Sequence, residues 1–421
     1  MDGEYYCNGC SWQCCGEQCE CGAGEKINGE QCDIFRENDI YAAWESVSEP
    51  TLSMDFMGPH RLLLAMKKDP DLRELLKIDM HNDLRKKRYN IKYYVDCEEV
   101  IAKYISDQCG LTGFTQAEIL TSLGLFDLLG VPFKNGAKAF FPELASVKHS
   151  CRPNSYFHVN ADGTILMKAS VNIRKGERVT RSVVDVMKCS LFRRKELEKE
   201  FFIECDCARC CDGTEFGTNY GGIISQEFCN HVFTPSNPRD EASPWVSDQA
   251  PGVELSGPEC CRDLELLRRK CEEGLEETQG SASTIEFILS NPGEWDVLPR
   301  GGQVMMDVKK YLVQAYGNTY GSTYDVLDNE KIKAKIEICA ELLTLYGKFH
   351  PGLNYSAAMI HYEAANAVYG LVTKGDKSLL EVGLSHCEAV MKICEVEIPG
   401  SLYDQLKKFM GNLLSGLKSL R

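Results

Sequence analysis

With 421 residues, 43% of them hydrophobic, the chain can bury a sizeable core and fold as roughly two to four domains. No stretch approaches the ~20 apolar residues that a membrane-spanning helix needs, and Met1-Asp2-Gly3-Glu4-Tyr5-Tyr6-Cys7 lacks the charged region and apolar run of a signal peptide, so a soluble protein of the cytoplasm or nucleus is expected. A formal net charge of −15 argues against direct DNA binding, which needs basic surface to displace counterions, and leaves basic protein or peptide partners such as histone tails electrostatically allowed.

Twenty-two cysteines in a reducing compartment point to metal ligation rather than disulfides. Residues 1–40 hold seven of them, as Cys7-x2-Cys10, Cys14, Cys15-x3-Cys19, Cys21 and Cys32, with little apolar periodicity, so metal is expected to stabilise this piece. Residues 41–136 read as a helical insert: Leu62, Leu63 and Met66, then Val100, Ile101, Tyr104 and Ile105, recur at helical spacing. Residues 137–204 change character. Tyr156-Phe157-His158-Val159, a turn at Asn160-Ala161-Asp162-Gly163, and Ile165-Leu166-Met167 predict a hairpin.

In the next block, 205–232, Cys205-x-Cys207-x2-Cys210 is compact enough to present three thiolates to one ion, with Cys211 a neighbouring alternative ligand. Pro, Ser, Asp and Gly over 233–261 predict a flexible linker. Cys229, Cys260, Cys261 and Cys271 fit no tetrahedral set and read as buried or free thiols. From 262 to 421 helical periodicity returns. Ile332, Ile336, Cys339, Leu343 and Tyr346 form one stripe, predicting an antiparallel helical array similar to tetratricopeptide repeats, with a candidate peptide groove on its concave side.

Lys148-His149-Ser150-Cys151-Arg152-Pro153-Asn154, the Ile173-Arg174-Lys175-Gly176-Glu177 turn and the Cys205–Cys210 cluster together resemble the SET and MYND domain (SMYD) family of protein lysine methyltransferases, in its arthropod-type form. The resemblance implies an α+β fold: a SET-type β core, a partial MYND zinc finger, a helical insert, a post-SET zinc region and a carboxy-terminal helical domain. It implies that Cys151 joins Cys205, Cys207 and Cys210 around one Zn2+. It also implies that Lys148 and His149 stand where the family's Asn-His pair lines the S-adenosylmethionine pocket. In the amino-terminal finger, Cys7 and Cys10 would share an ion with Cys32, and Cys21 would replace the family's His, because position 28 is Asn. Cys15 and Cys19 would serve the second ion, with Cys14 a possible substitute.

Against that pattern the chemistry looks damaged. The family's first C-x2-C pair and its cofactor-wrapping Gly-x-Gly loop would precede Met1, and a shorter start or splice form would account for both. Lys148 replaces the motif's Asn. The family's Ser-Tyr-x-Asp reads Ser182-Val183-Val184-Asp185, and its second tyrosine reads Phe201; neither Val nor Phe offers a hydroxyl to orient an amine. Phe140, Phe141 and Tyr156 suit either a lysine channel or plain core, and Asn154 suits the crossing of two chain segments. The expectation is a methyltransferase-like protein, catalytically impaired, acting as a zinc-stabilised binding or regulatory module. The competing expectation is an active lysine methyltransferase in which Ser182 or Tyr156 supplies the missing hydroxyl.

Overall fold

The computed structural model describes residues 27–38, 57–77, 113–132, 138–160, 163–201, 203–277, 281–290, 294–319, 321–395 and 402–420, with shorter pieces at 5–6, 13–14, 102–107, 109 and 111. It is a mixed helix and strand structure that divides into two compact units, 1–147 with 198–203, and 148–197 with 204–421.

The first unit is helical over most of its described length. Met57–Lys68 packs against both Ile27–Glu37 and Gln116–Leu129, and the apolar residues they share are Cys32, Phe35, Leu63, Leu64 and Ile119. Thr115 starts the last of these helices with a capping box. Its hydroxyl accepts from Glu118 N at 3.3 Å, and the Glu118 carboxylate accepts from Thr115 N at 2.9 Å. Arg73 of Pro70–Lys77 donates to that same carboxylate at 2.7 Å, which ties two helices at one charge.

In the second unit the expected hairpin forms as Ser155–Val159 against Ile165–Ala169, antiparallel, and Gly163 supplies the positive φ of +83° at its turn. Beside it Lys148–His149 pairs in parallel with Thr180–Arg181. Two residues per strand make a weak ladder, and Asn154 reinforces it. The Asn154 side-chain oxygen accepts from Thr180 N at 2.8 Å, and its amide nitrogen donates to Arg178 O at 2.9 Å, so a buried side chain fixes the crossing of two segments.

The stretch expected as a flexible linker is instead a sheet. Ile223–Ser225, His231–Pro235, Trp245–Val246 and Glu254–Leu255 run in that order as four antiparallel strands. Its polar residues turn the chain between strands, and two widely spaced aromatics, Phe233 and Trp245, anchor it in the core.

Beyond it come helices Gly257–Glu277, Ala282–Ser290, Gln303–Ala315, Asn329–Phe349, Tyr355–Thr373, Leu380–Glu395 and Leu402–Ser419. The last four pack in sequence through short connections. The stripe Ile332, Ile336, Cys339 and Tyr346 is buried, as periodicity predicts, with Leu343 half-buried against it. Ala358, Ala364, Ala365 and Ala367 let the neighbours of Tyr355–Thr373 approach closely.

The hairpin is pinned to this array at one point. Leu353 N donates to Ser170 O at 3.1 Å, and Gly352 there has φ +88°, where a Cβ would collide with the same carbonyl oxygen. Gly352→Ala should therefore lower stability by about 2–4 kcal/mol through backbone strain and displacement of the Ser170 carbonyl. Thermal denaturation checks this, and an unchanged melting temperature would contradict the packing.

Candidate functional site

Cys205, Cys207 and Cys210 lie on an irregular segment closed by a turn in which Cys210 N and Cys211 N both donate to Cys207 O, at 2.9 and 3.1 Å. That turn brings three sulfurs together, and Cys151, from the loop after Lys148–His149, completes the group. All four Sγ atoms lie within 4.8 Å of one another; Cys151 is 3.4 Å from Cys210 and 4.0 Å from Cys205. Tetrahedral zinc with thiolate bonds of about 2.3 Å sets its sulfurs roughly 3.8 Å apart, so the donor set and its spacing fit zinc. Hydrogen bonding among the sulfurs splits their proton affinities, raising the Cys151 thiol and lowering Cys207.

Cys211, the alternative ligand, is exposed, and its thiol donates to Asp206 O at 3.4 Å, away from the group. Among the described residues this is the one cluster of three or more metal-type donors. Cys260, Cys261 and Cys271 are core residues of Gly257–Glu277, with thiols pushed up by burial to about 12, 11 and 12. Cys7, Cys10, Cys15, Cys19 and Cys21 lie outside the described residues. So does the side chain of Cys14. Cys32 is buried on Ile27–Glu37, in the core of the first unit.

A layer of polar groups surrounds the sulfurs. Val183 N donates to His149 Nδ1 at 3.2 Å, so the ring proton sits on Nε2, which donates to Cys151 Sγ at 3.2 Å. Burial holds His149 down to about 4, which keeps it neutral. Beneath the cluster, Arg193, Arg209 and Glu215 have fully buried side chains. Glu215 Oε2 accepts from Arg193 at 2.7 Å and from Arg209 at 2.8 Å, and Oε1 accepts from Ser190 N at 2.8 Å at the start of helix Ser190–Phe201. Arg193 Nη2 reaches to 3.9 Å from Cys210 Sγ, and Arg209 donates to Cys151 O at 3.3 Å while stacking 3.5 Å over the Phe349 ring. No sequence pattern marks these three residues.

Lys148 is exposed. Ser182 is closed on its own backbone: its hydroxyl donates to Val184 O at 2.7 Å and accepts from Val184 N at 3.4 Å. Val183 contributes its backbone N–H to His149. Phe140 and Phe141 belong to the first unit, where Phe140 packs against its core. Tyr156 is half-buried on the hairpin of the second.

A cavity of about 440 Å³ opens beside Asp185 in the second unit, between Gly257–Glu277 and Gln303–Ala315. Asp185, Glu272, Glu276 and Asp307 line it together with Lys188, Arg268 and Lys310. Two of the cations are already paired, Lys188 with Glu196 at 2.6 Å and Arg268 with Glu272 at 2.8 Å. Gln303 is oriented by Cys189 N, which donates to its carbonyl oxygen at 2.6 Å, so its amide nitrogen faces Asp307 at 3.1 Å. Burial, opposed by Gln303 and Lys310 and reinforced by Asp185 and Glu272, raises Asp307 to about 6.

Two measurements follow from this geometry. Cys207→Ser should remove one zinc per chain and lower the melting temperature, because structural zinc contributes folding free energy directly; unchanged metal stoichiometry would remove the assignment. At Asp307 the folded state holds the proton more tightly than the unfolded one, so its contribution favours folding below the unfolded value and is lost as pH rises through about 6. Asp307→Asn should then stabilise the protein by about 1–2 kcal/mol at pH 7.5, allowing for partial exposure, with the gain shrinking towards pH 4 in a pH series of melting temperatures.

No protein-family model matches the chain. Among known proteins, N-lysine methyltransferase SMYD2-B of Xenopus laevis is 28% identical over 174 residues, covering 41% of this chain and 36% of that protein. SET domain-containing protein SmydA-8, isoform A, of Drosophila melanogaster is 28% identical over 109 residues, 26% of this chain and 24% of that one. Histone-lysine N-methyltransferase SMYD3 of Homo sapiens is 31% identical over 85 residues, 20% of each chain. The chain thus spans about a third or less of the length of these relatives. Partial but repeated homology to these proteins, at about 26–32% identity, together with the four-cysteine group, supports membership of the SET and MYND domain (SMYD) family.

Proposed function

We propose that this chain is a SET-type, protein lysine methyltransferase-like protein in which methyl transfer is impaired, and that it acts as a zinc-held module binding a basic protein or peptide segment in the cytoplasm or nucleus. The observation that carries the first half is the state of residues 182–184. Methyl transfer to an amine needs hydroxyls placed to orient it. The Ser182 hydroxyl is spent on the backbone of Val184, and Val183 has none. Lys148, at the position of the motif's amide, brings an exposed ammonium in its place.

The second half rests on the cavity beside Asp185. A carboxylate held at about 6 by burial is costly to the fold at neutral pH, and such groups concentrate where a ligand is met. With Lys188 paired to Glu196 and Arg268 to Glu272, the lining leaves Asp185, Glu276 and Asp307 against Lys310 and favours a cationic side chain. The names N-lysine methyltransferase and histone-lysine N-methyltransferase among the relatives agree with a protein ligand of that charge.

One observation favours the second reading, an active S-adenosylmethionine-dependent lysine methyltransferase. The strand carrying His149 is braced by its parallel pairing with Thr180–Arg181, and the crossing beside it by Asn154, as a working cofactor pocket would require. Calorimetric titration of S-adenosylmethionine into the zinc-loaded protein separates the two. The impaired reading expects no detectable heat; micromolar or tighter binding would overturn it and restore the enzyme.

A further inference from the structure

We propose that the buried Arg193–Glu215–Arg209 couple is an electrostatic part of the metal centre: its excess positive charge is the counter-charge of a divalent ion held by four thiolates, and it sets how tightly that ion is held. The inference rests on reading Cys151, Cys205, Cys207 and Cys210 as one metal site, and goes beyond that reading by naming what neutralises it.

All three side chains are 0% exposed, and both guanidiniums share one carboxylate oxygen. Arginine does not give up its proton in proteins, so the couple carries one net positive charge that no water reaches. A divalent ion with four thiolates carries two net negative charges. The two are in contact: Arg193 Nη2 lies 3.9 Å from Cys210 Sγ, and Arg209 donates to the backbone carbonyl of Cys151 at 3.3 Å. Each is a poorly solvated charge beside an opposite one, and in a low-dielectric interior that attraction is strong. A third buried guanidinium, Arg181, stands on the residue paired with His149, whose Nε2 contacts Cys151.

The chain also holds Glu215 against its backbone preference. Glu215 and Phe216 have φ of +50° and +61°, in the left-handed region that non-glycine residues avoid. Asp212 sustains that turn, accepting from Thr214 N at 2.9 Å and Phe216 N at 2.7 Å. The strained turn delivers one carboxylate, not two, to a pair of arginines, which leaves the excess charge on the side facing the sulfurs.

A merely structural couple and a charge-balancing one make opposite predictions for two substitutions. The probe is Zn2+ alone, withdrawn from the whole 421-residue chain by a chromophoric chelator, reading the ion that Cys207→Ser removes. Arg193→Met removes the excess charge and should weaken retention by about tenfold or more, with Arg193→Lys recovering part of the loss. Glu215→Gln keeps the shape and removes the one negative charge, raising the net positive charge of the couple from one to two, so retention should equal or exceed that of the unmodified chain. Equal weakening by Arg193→Met and Glu215→Gln, or no effect of Arg193→Met, would overturn the proposal while leaving the metal site standing. An unmodified chain with no Cys207-dependent ion would overturn both. Where a variant folds poorly, the gap between zinc-loaded and chelator-treated melting temperatures replaces affinity: it should narrow in Arg193→Met and widen in Glu215→Gln, and equal gaps would refute the charge role.

Discussion

Three ionised side chains with no exposure to water set the terms for the second unit. Burying Arg193, Glu215 and Arg209 is tolerable only because every one of them is met several times over: by each other, by Ser190 N, by the carbonyls of Cys151, Val186 and Lys188, and by the face of Phe349. These partners come from chain segments far apart in sequence, most of them without regular secondary structure. The loop after Lys148–His149, the segment around 186–190, the cysteine turn and the end of Asn329–Phe349 are therefore joined through polar groups where a small protein would use an apolar core. The sulfurs complete the same junction from the other side.

The helical array solves a different problem by ordinary means. Its core is apolar and finely divided, with alanines and glycines admitting bulkier partners: a Cβ on Gly370 would lie 2.8 Å from the Tyr324 ring, and one on Gly383 would lie 2.6 Å from Val368 Cγ1. Its one buried cation, among the fully buried side chains described, is Lys335. That ammonium donates to Tyr316 O at 2.6 Å, the Tyr324 hydroxyl at 2.9 Å and Glu363 at 2.6 Å, three partners for three protons. The two regions meet where Arg152 donates to Lys348 O at 2.8 Å and Lys348 donates to Phe216 O at 3.1 Å, capping the helix end with residues near the four-cysteine group.

How much of this is legible in the sequence depends on the range of the signal. Local periodicity gives the hairpin and the stripe from Ile332 to Tyr346, because each is fixed by neighbours within a few residues. Cys205-x-Cys207-x2-Cys210 is legible for the same reason. Cys151 is reached only through family resemblance, since no local rule links it to sulfurs more than fifty residues away. Arg193 sits in a basic run on a helix and Glu215 in a polar turn, and no local pattern tells either from a solvated charge, so the buried couple is invisible. The sheet over 223–255 escapes notice because turn-forming residues outnumber Phe233 and Trp245, the two that bury it. Asp307 gives no sign on a helix whose other face is core. The amino-terminal cysteines give only a partial finger pattern, and five of the six proposed ligands there lie outside the described residues.

The same geometry explains how fold and chemistry can part company in this chain. Val183 serves the scaffold through its backbone N–H, which holds His149 and, through it, Cys151. Any residue but proline supplies that group, so a hydroxyl at this position is not needed to hold the four-cysteine group. Lys148 likewise contributes backbone pairing to Thr180 whatever its side chain. Asn154 braces the crossing with its own amide, independent of any ligand. The groups that hold the structure are thus backbone atoms, the Asn154 amide, sulfurs and buried charges, whereas orienting a substrate amine would need a side-chain hydroxyl free of the backbone, which Ser182 does not offer. On the reading proposed above, the described residues keep the first set while Val183 lacks a hydroxyl and Ser182 turns its own to the backbone, so a four-cysteine group that holds its geometry says nothing for catalysis and leaves a stable surface on which a partner can bind.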